Sequence, residues 1–427
     1  MSMSFSKPSF NVSQFMLFLT IIFIVLTIFC INNNSFAIEN QNLKNENEFN
    51  IIATADVGCS IRAQENIKNI EKLQPELFLV AGDLSYEKTP DCWFDMTKSL
   101  DSKTKIAIGN HDDYEEQGMT GDELKKAYMD HYNLDKSYYS FDYKNVHVLI
   151  LDTQLELSVD TLESTAVVSE PSSIKENKDK KEANDKKKEP LLERFPTVGI
   201  ADLLAQNSID VEIPPLDTII ESNAKVPTLK IDNEQYQFVL QDLEKASQNK
   251  NNDWIFVMFH KPMYSSLTKH SEEYIIRNKY QNIFDKYGVD LVIQGHNHIY
   301  SRTLPLSFNK LDISQPIIDK NSSTSHNNIF TNPQGSIFLV VGVGGDELYG
   351  IVDEPYYVAS QYNKGFGFAD IKIDGKRLDV KFYDINLNCQ LKITQKKERE
   401  VIDPQSCLPP ILGNDKLKVI DYFSITK

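Results

Sequence analysis

From Asn50 onward the chain alternates short apolar runs with stretches of helical periodicity. Asn50–Ala55, Leu77–Ala81, Lys105–Ile108 and Val146–Leu151 read as strands, short and bounded by polar or glycine-containing segments. Between them, Glu65–Leu73 places Ile67, Ile70 and Leu73 on one helical face, and Asp122 opens a helix that runs to Tyr132. This rhythm predicts an α/β sheet built from crossover units.

The rhythm stops after Leu155. Residues 155–232 hold a lysine- and glutamate-rich tract from Lys175 to Glu189, scattered prolines, and at most one helical turn at Ala201–Ala205. A segment so charged buries too little apolar surface to offset its ordering entropy, so a mainly disordered insertion is expected, as an overhanging lid or a loop in solvent. Periodicity resumes with a helix over Glu234–Ser247, capped by Asn233, whose Tyr236, Val239, Leu240 and Leu243 share a face. A strand over Trp254–Phe259, a helix over Glu272–Tyr287 stopped by Gly288, and strands over Val289–Ile293 and Ser336–Val343 follow. Phe366–Ile373 and Arg377–Tyr383 alternate in and out across Asp374-Gly375, a hairpin signal, and Lys418–Ile425 completes that sheet. The stretch between Cys389 and Cys407 reads as a decorated hairpin loop.

The N-terminus changes where this domain is expected to work. Phe15–Ile31 is almost wholly apolar, Lys7 lies upstream, and Ser35-Phe36-Ala37 has the small residues a signal peptidase needs. Residues 1–37 are therefore a signal peptide or an N-terminal membrane anchor, and both export the remainder to the cell surface or beyond. With Cys30 in that segment, Cys59, Cys92, Cys389 and Cys407 are an even set for an oxidising compartment, and Cys59–Cys92 and Cys389–Cys407 are plausible pairs. A net charge of −16 argues against nucleic acid as partner. A small phosphorylated substrate is still compatible if a metal supplies the positive charge. Asn321-Ser322-Ser323 is a glycosylation sequon.

The chemistry sits at the strand ends. Asp56, Asp83, Asn110, His260, His296 and His298 each follow a predicted strand, and the carboxyl ends of parallel strands converge on one face. Carboxylates, an amide oxygen and imidazoles suit two borderline-to-hard cations, and one carboxylate can bridge them. Of eight histidines, His111, His260, His270, His296 and His298 lie in or beside these ends.

The ordered blocks Asp56-Val57-Gly58, Gly82-Asp83-Leu84-Ser85-Tyr86, Gly109-Asn110-His111-Asp112, Val257-Met258-Phe259-His260 and Gly295-His296-Asn297-His298 resemble the signature of calcineurin-like metallophosphoesterases. Within that superfamily the pattern is similar to the purple acid phosphatases, of the small single-domain type. Many metallophosphoesterases carry a histidine ligand where Gly58 stands, so the first ion is short of a donor that Tyr86 can supply as phenolate. A phenol of pKa about 10 is best deprotonated by a strongly Lewis-acidic ion such as ferric iron. The resemblance implies a four-layer α/β/β/α sandwich, formed by residues 48–154 and 233–427 around the insertion. It also implies a ferric ion held by Asp56, Asp83, Tyr86 and His298, and a divalent partner (iron, zinc or manganese) held by Asp83, Asn110, His260 and His296. His270 would then be the general acid, His111 would orient phosphate, and Asp112 would orient His111 or a ligand. A metal-activated hydroxide would hydrolyse phosphomonoesters. Rival readings are a phosphodiesterase or nucleotidase on the same core, and a non-catalytic surface binding protein that uses the metal centre structurally; such a protein should have lost ligand positions, and none is lost here. The insertion departs from the family pattern, and a core without the preceding fibronectin-like domain of the larger plant-type members is expected.

Overall fold

The computed structural model describes residues 48–113, 119–155, 233–324, 328–385 and 417–427, with the backbone alone of four short strands between 388 and 408. The expected signal or anchor segment and the insertion, from residue 156 on, lie outside the described residues. Before the insertion come β1 (Glu48–Thr54), α1 (Ile61–Leu73), β2 (Leu77–Val80), α2 (Asp91–Thr97), β3 (Thr104–Ile106), α3 (Gly121–His131), β4 (Tyr139–Tyr143) and β5 (Val146–Ile150). After it come α4 (Asn233–Gln248), β6 (Trp254–Met258), α5 (Tyr274–Tyr287), β7 (Leu291–Gln294) and β8 (Tyr300–Thr303). Short strands β9 (Leu306–Ser307), β10 (Ile317–Ile318), β11 (Ser323–Thr324) and β12 (Ile329–Thr331) lead to β13 (Ile337–Val341), β14 (Leu348–Tyr349) and β15 (Val358–Tyr362). The hairpin β16 (Gly367–Asp374) and β17 (Arg377–Asp384) precedes β18 (Asn388–Cys389), β19 (Ile393–Lys396), β20 (Arg399–Ile402), β21 (Cys407–Leu408) and β22 (Lys418–Thr426).

Two mixed sheets face each other. One runs β11-β12-β22-β17-β16-β1-β2-β3 and the other β15-β8-β13-β7-β6-β5-β4. The strands β1, β2 and β3 are parallel, as are β5, β6, β7 and β13. The unbroken apolar runs follow from burial on both faces. Val146, Val148 and Ile150 of β5 join the core shared with the first sheet, whereas Leu149 and Leu151 pack with Val239 and Leu243 of α4. On β6, Trp254, Phe256 and Met258 face the same shared core, and Ile255 and Val257 face α4 and α5. With Ile67 and Ile70 of α1 packed into the core of the first sheet, the result is the expected helix–sheet–sheet–helix sandwich.

Some boundaries shift for local reasons. Helix α1 begins at Ile61 because the Ser60 hydroxyl accepts from the Ala63 N–H and caps it. Helix α5 begins at Tyr274 rather than Glu272, because the buried Glu272 carboxylate accepts from the Ser265 N–H (2.8 Å) and pairs with Arg277 (2.6 Å). Cys59 and Cys92 are bonded, their Cα atoms 6.1 Å apart. The backbone pairing of β18 with β21 sets Cys389 opposite Cys407, and the β19–β20 hairpin between them lends β20 to β14.

Candidate metal centre

Every sequence-identified residue of this centre is brought to one end of the sandwich. The first sheet delivers oxygen: Asp56 follows β1, Asp83 and Tyr86 follow β2, and Asn110 follows β3. The second delivers nitrogen: His260 follows β6, and His296 and His298 follow β7. The β1 and β2 ends stay laced together past the strands, with N–H to C=O bonds from Asp56 to Gly82, Val57 to Asp83 and Gly58 to Leu84. Asp56, Asp83, Tyr86 and His296 all hold left-handed backbone, with φ of 56°, 53°, 56° and 68°. Such conformations are costly for non-glycine residues and persist where the surroundings over-determine them. Gly82 is required for a second reason: a Cβ there would stand 2.7 Å from His260 Nδ1 and 2.8 Å from the Gly109 nitrogen.

The donor atoms form two overlapping groups. The Tyr86 phenol oxygen lies 3.0 Å from Asp56 Oδ1, 3.0 Å from Asp83 Oδ2 and 2.9 Å from His298 Nε2. One phenolic proton cannot serve three such atoms, whereas a shared cation can. His260 Nε2 lies 3.1 Å from Asn110 Oδ1 and 3.1 Å from Asp83 Oδ2. Ligand atoms of Asp83, His260 and His296 all lie within 4.8 Å of one another. Asp83 Oδ2 therefore belongs to both groups. Tautomers are set by backbone carbonyls: His260 Nδ1–H donates to Ala81 O (2.8 Å) and His298 Nδ1–H to Glu347 O (2.7 Å), which leaves both Nε2 atoms turned into the site. Gly58 lies against this group, since a Cβ there would sit 3.6 Å from the Tyr86 ring.

Charge reinforces the case for cations. Asp56 and Asp83 are both buried. Burial opposes the charge of Asp83, yet the His260 imidazole and the His111 N–H hold its carboxyl well below the usual range. Burial likewise opposes a charged His260, and Asp83 overrides it, raising the imidazole to about 9. Burial, then Asp56 and Asp83, pushes the Tyr86 phenol well above 10. Burial, then His260 and His270, pushes His296 well below its ordinary value. Buried carboxylates of like charge, with imidazoles aimed at them, fit a metal site.

The outlying candidates also converge. His111 lies against Tyr86 with ring centres 4.5 Å apart, and His270 against His296 at 4.2 Å. Burial, then Lys269 and His298, lowers His270 to about 4. Asp112 does not hold His111 by its side chain. It accepts from the N–H groups of Asp83 (2.8 Å), Leu84 (2.8 Å) and Gly109 (2.9 Å), so it positions the loops that follow β2 and β3. The sequence reading missed Tyr349, whose phenol oxygen stands 3.1 Å from His298 Nε2. It follows no strand-end motif and is one of nineteen tyrosines.

Residues 49–300 match the family model described as calcineurin-like phosphoesterase. The chain belongs to that family. An acid phosphatase of Aspergillus ficuum is 37% identical over 94 residues, 22% of this chain and 15% of the relative. An Arabidopsis thaliana protein named Fe(3+)-Zn(2+) purple acid phosphatase 12 is 28% identical over 148 residues, 32% of this chain and 29% of the relative. The chain thus spans well under half the length of these curated relatives. The solved purple acid phosphatase PPD1 from yellow lupin seeds superposes with a TM-score of 0.51 at 16% identity, covering 89% of this chain and 54% of that one, and so shares the fold.

Proposed function

We propose that the chain is an exported acid phosphatase with a binuclear metal centre, hydrolysing small phosphomonoesters. The observation that carries this reading is Asp83 Oδ2, 3.0 Å from the Tyr86 phenol and 3.1 Å from His260 Nε2, a carboxylate oxygen common to two donor groups. Asp56, Asp83, Tyr86 and His298 would hold a ferric ion; Asp83, Asn110, His260 and His296 would hold a divalent ion. The relative named for Fe(3+) and Zn(2+) supports that pair. When bound, two such ions neutralise phosphate charge and acidify water.

The protein's own residues do the rest. Asp112 fixes the ligand loops through three N–H groups. His111 and His270 flank the donors without belonging to them, and would orient the phosphate and protonate the leaving oxygen respectively. A phosphate dianion beside His270 works against the neighbours that lower its pKa. The Cys59–Cys92 bond is consistent with export, and among the described residues no helix is long and apolar enough to cross a membrane.

The test is a visible spectrum with metal analysis and p-nitrophenyl phosphate turnover, wild type beside Tyr86→Phe. The expected outcome is iron, a charge-transfer band, and loss of at least half of that band in the variant. A colourless, zinc- or manganese-loaded wild type whose Tyr86→Phe variant is fully active overturns the iron assignment. Hydrolysis confined to phosphodiesters overturns the substrate class.

A further inference from the structure

Between the two histidines that follow β7 stands a side chain that the proposed chemistry does not use. Asn297 is fully buried, and its amide bonds to a different loop, the irregular stretch after β6 that carries His270. Its Nδ2 lies 2.8 Å from Ser265 Oγ, and its Oδ1 lies 2.5 Å from Thr268 Oγ1. The directions of these bonds are forced. The Ser265 hydroxyl donates its one proton to Ser266 O (2.9 Å), so toward Asn297 it can only accept. That turns Asn297 Oδ1 to Thr268, whose hydroxyl donates to it while accepting the His270 N–H (3.2 Å). A chain of hydrogen bonds thus runs from the His270 backbone through Thr268 to the residue between His296 and His298. Other bonds fix the same loop elsewhere. The Ser265 N–H donates to Glu272 Oε1 (2.8 Å), Leu267 exchanges backbone bonds with Val352 and Asp353, and Lys269 pairs with Glu347 (3.1 Å).

We propose that Asn297 and Thr268 are positioning residues for His270, setting its distance from the turn that bears His296 and His298. The inference rests on the general-acid role proposed above for His270 and says what holds that group in place. In the step served, water adds at phosphorus and the ester P–O bond breaks with its electron pair left on the leaving oxygen. The His270 proton passes to that oxygen, and a neutral imidazole remains. The donor must stand within hydrogen-bond reach of the oxygen, and a misplacement of about 1 Å can cost roughly 10²-fold in rate. The ring contact between His270 and His296, with centres 4.2 Å apart, leaves the two rings free to slide past each other. The directional bonds through Thr268 and Asn297 remove that freedom, because they pin the His270 backbone to the same turn.

The test compares leaving groups in the full-length protein. p-Nitrophenolate leaves without needing a proton, whereas the alkoxide of a glycerol ester needs one. Thr268→Val keeps the shape and removes the hydroxyl. It should lower kcat by roughly 10–100-fold for glycerol phosphate but by less than about 3-fold for p-nitrophenyl phosphate, with KM little changed and both ions retained. Thr268→Ser, which keeps the hydroxyl, should restore the glycerol ester. Asn297→Ala, which also opens a buried space, should show the same split between the two alcohols. In a His270→Ala background, Thr268→Val should add nothing. Each alcohol is presented as a monoester and as a methyl diester, so the comparison holds whichever ester the centre prefers. Hydrogen exchange of the metal-depleted protein gives a readout without turnover: amides of residues 266–271 should exchange about 10-fold faster in Thr268→Val and at the wild-type rate in Thr268→Ser. Equal losses on both alcohols, unchanged exchange, or a Thr268→Val effect that persists without His270 overturns the positioning role and leaves His270 as the acid. A His270→Ala variant that loses both alcohols equally overturns the acid assignment, and this inference with it.

Discussion

The two sheets contribute to one centre in different chemical currencies and by different means. The first brings oxygen donors on loops of left-handed backbone, stitched by Asp112 and by the Cys59–Cys92 bond. The second brings imidazoles, two of which, His260 and His298, are oriented by carbonyl oxygens. Each half also holds the other: Ala81 of the first sheet accepts from His260, and the His296 N–H donates to Asp56 Oδ2 at 2.8 Å. The site is thus sensitive to how the sheets are joined, and its oxygen side carries the greater backbone strain.

The sharpest way to break this asymmetry is to remove the shared oxygen. Asp83→Ala should lose both ions and lower kcat by roughly 10³-fold or more, the scale of several kcal/mol of charge stabilisation. Asn110→Ala should lose only the divalent ion, and His298→Ala only the first. Metal stoichiometry checks this directly. One ion retained in Asp83→Ala would show that the two groups are independent.

The disulfide tests whether the oxygen side needs a covalent staple. Closing a loop with a sequence separation of 33 residues stabilises by about 3–4 kcal/mol through the unfolded chain's lost entropy. The Cys59→Ser, Cys92→Ser pair should therefore lower stability by that amount in denaturant titration. If the staple also holds the Gly58–Tyr86 contact, the first ion should be lost before the divalent one. Equal loss of both would make the bond a general stabiliser only.

The oxygen and imidazole blocks were legible in the sequence because most of them end a strand buried on both faces, which reads as an apolar run; the Asn110 block follows the short edge strand β3, whose Lys105 is half-exposed. The same runs predicted an α/β sheet of crossover units, whereas the four-layer sandwich was implied by the resemblance of the blocks to a known family. Elements that escaped lack that signature. β8 is Tyr300-Ser301-Arg302-Thr303, polar in sequence yet buried, because Arg302 and the Tyr300 hydroxyl both reach Asp421 on β22, at 2.6 and 2.8 Å. β4 alternates half-exposed aromatic and polar residues at a sheet edge and passes for a loop. Tyr349 becomes significant only through stacking on His298, a contact between residues 51 positions apart. Asp112 was legible as a positioning residue for His111 or another ligand; it serves the second, through the backbone N–H groups of Asp83, Leu84 and Gly109 rather than through His111.

Asp112 gives a smaller, separable effect. Burial, then Asp83, pushes the Asp112 carboxyl up to about 7, against its hydrogen bonds from Leu84 and Gly109. Asp112→Asn keeps the size but offers one acceptor oxygen in place of two, so an N–H of the ligand loop is left short. A loss of roughly 10–100-fold in metal affinity is expected, the usual scale for groups that orient ligands. Since Asp83 and Leu84 are both served by Asp112, the deficit should appear for both ions by metal titration. A deficit for neither would reduce Asp112 to packing.

The weakest prediction concerns the imidazole-bearing sheet away from the metals. His147 on β5 sits between Asp142 (Nδ1 to Oδ1, 2.7 Å) and Asp242 on α4 (Nε2 to Oδ2, 2.9 Å). Burial alone would lower its pKa; hydrogen bonds to Asp242 and Asp142 override that and raise it above 6.5. A group whose folded pKa is raised adds stability that is fully present below its unfolded value, about 6.5, and lost as pH climbs through the folded value. Asp142 is 54% exposed, so solvent screens its share, and Asp242, at 14%, carries most of the effect. A contribution of roughly 1 kcal/mol or less is expected after that screening. The melting-temperature gap between wild type and His147→Gln should therefore be widest near pH 5.5 and shrink by pH 8.5. A gap that stays constant over that range would mean that His147 acts through shape alone, and that only the metal-facing histidines of this sheet depend on carboxylate partners.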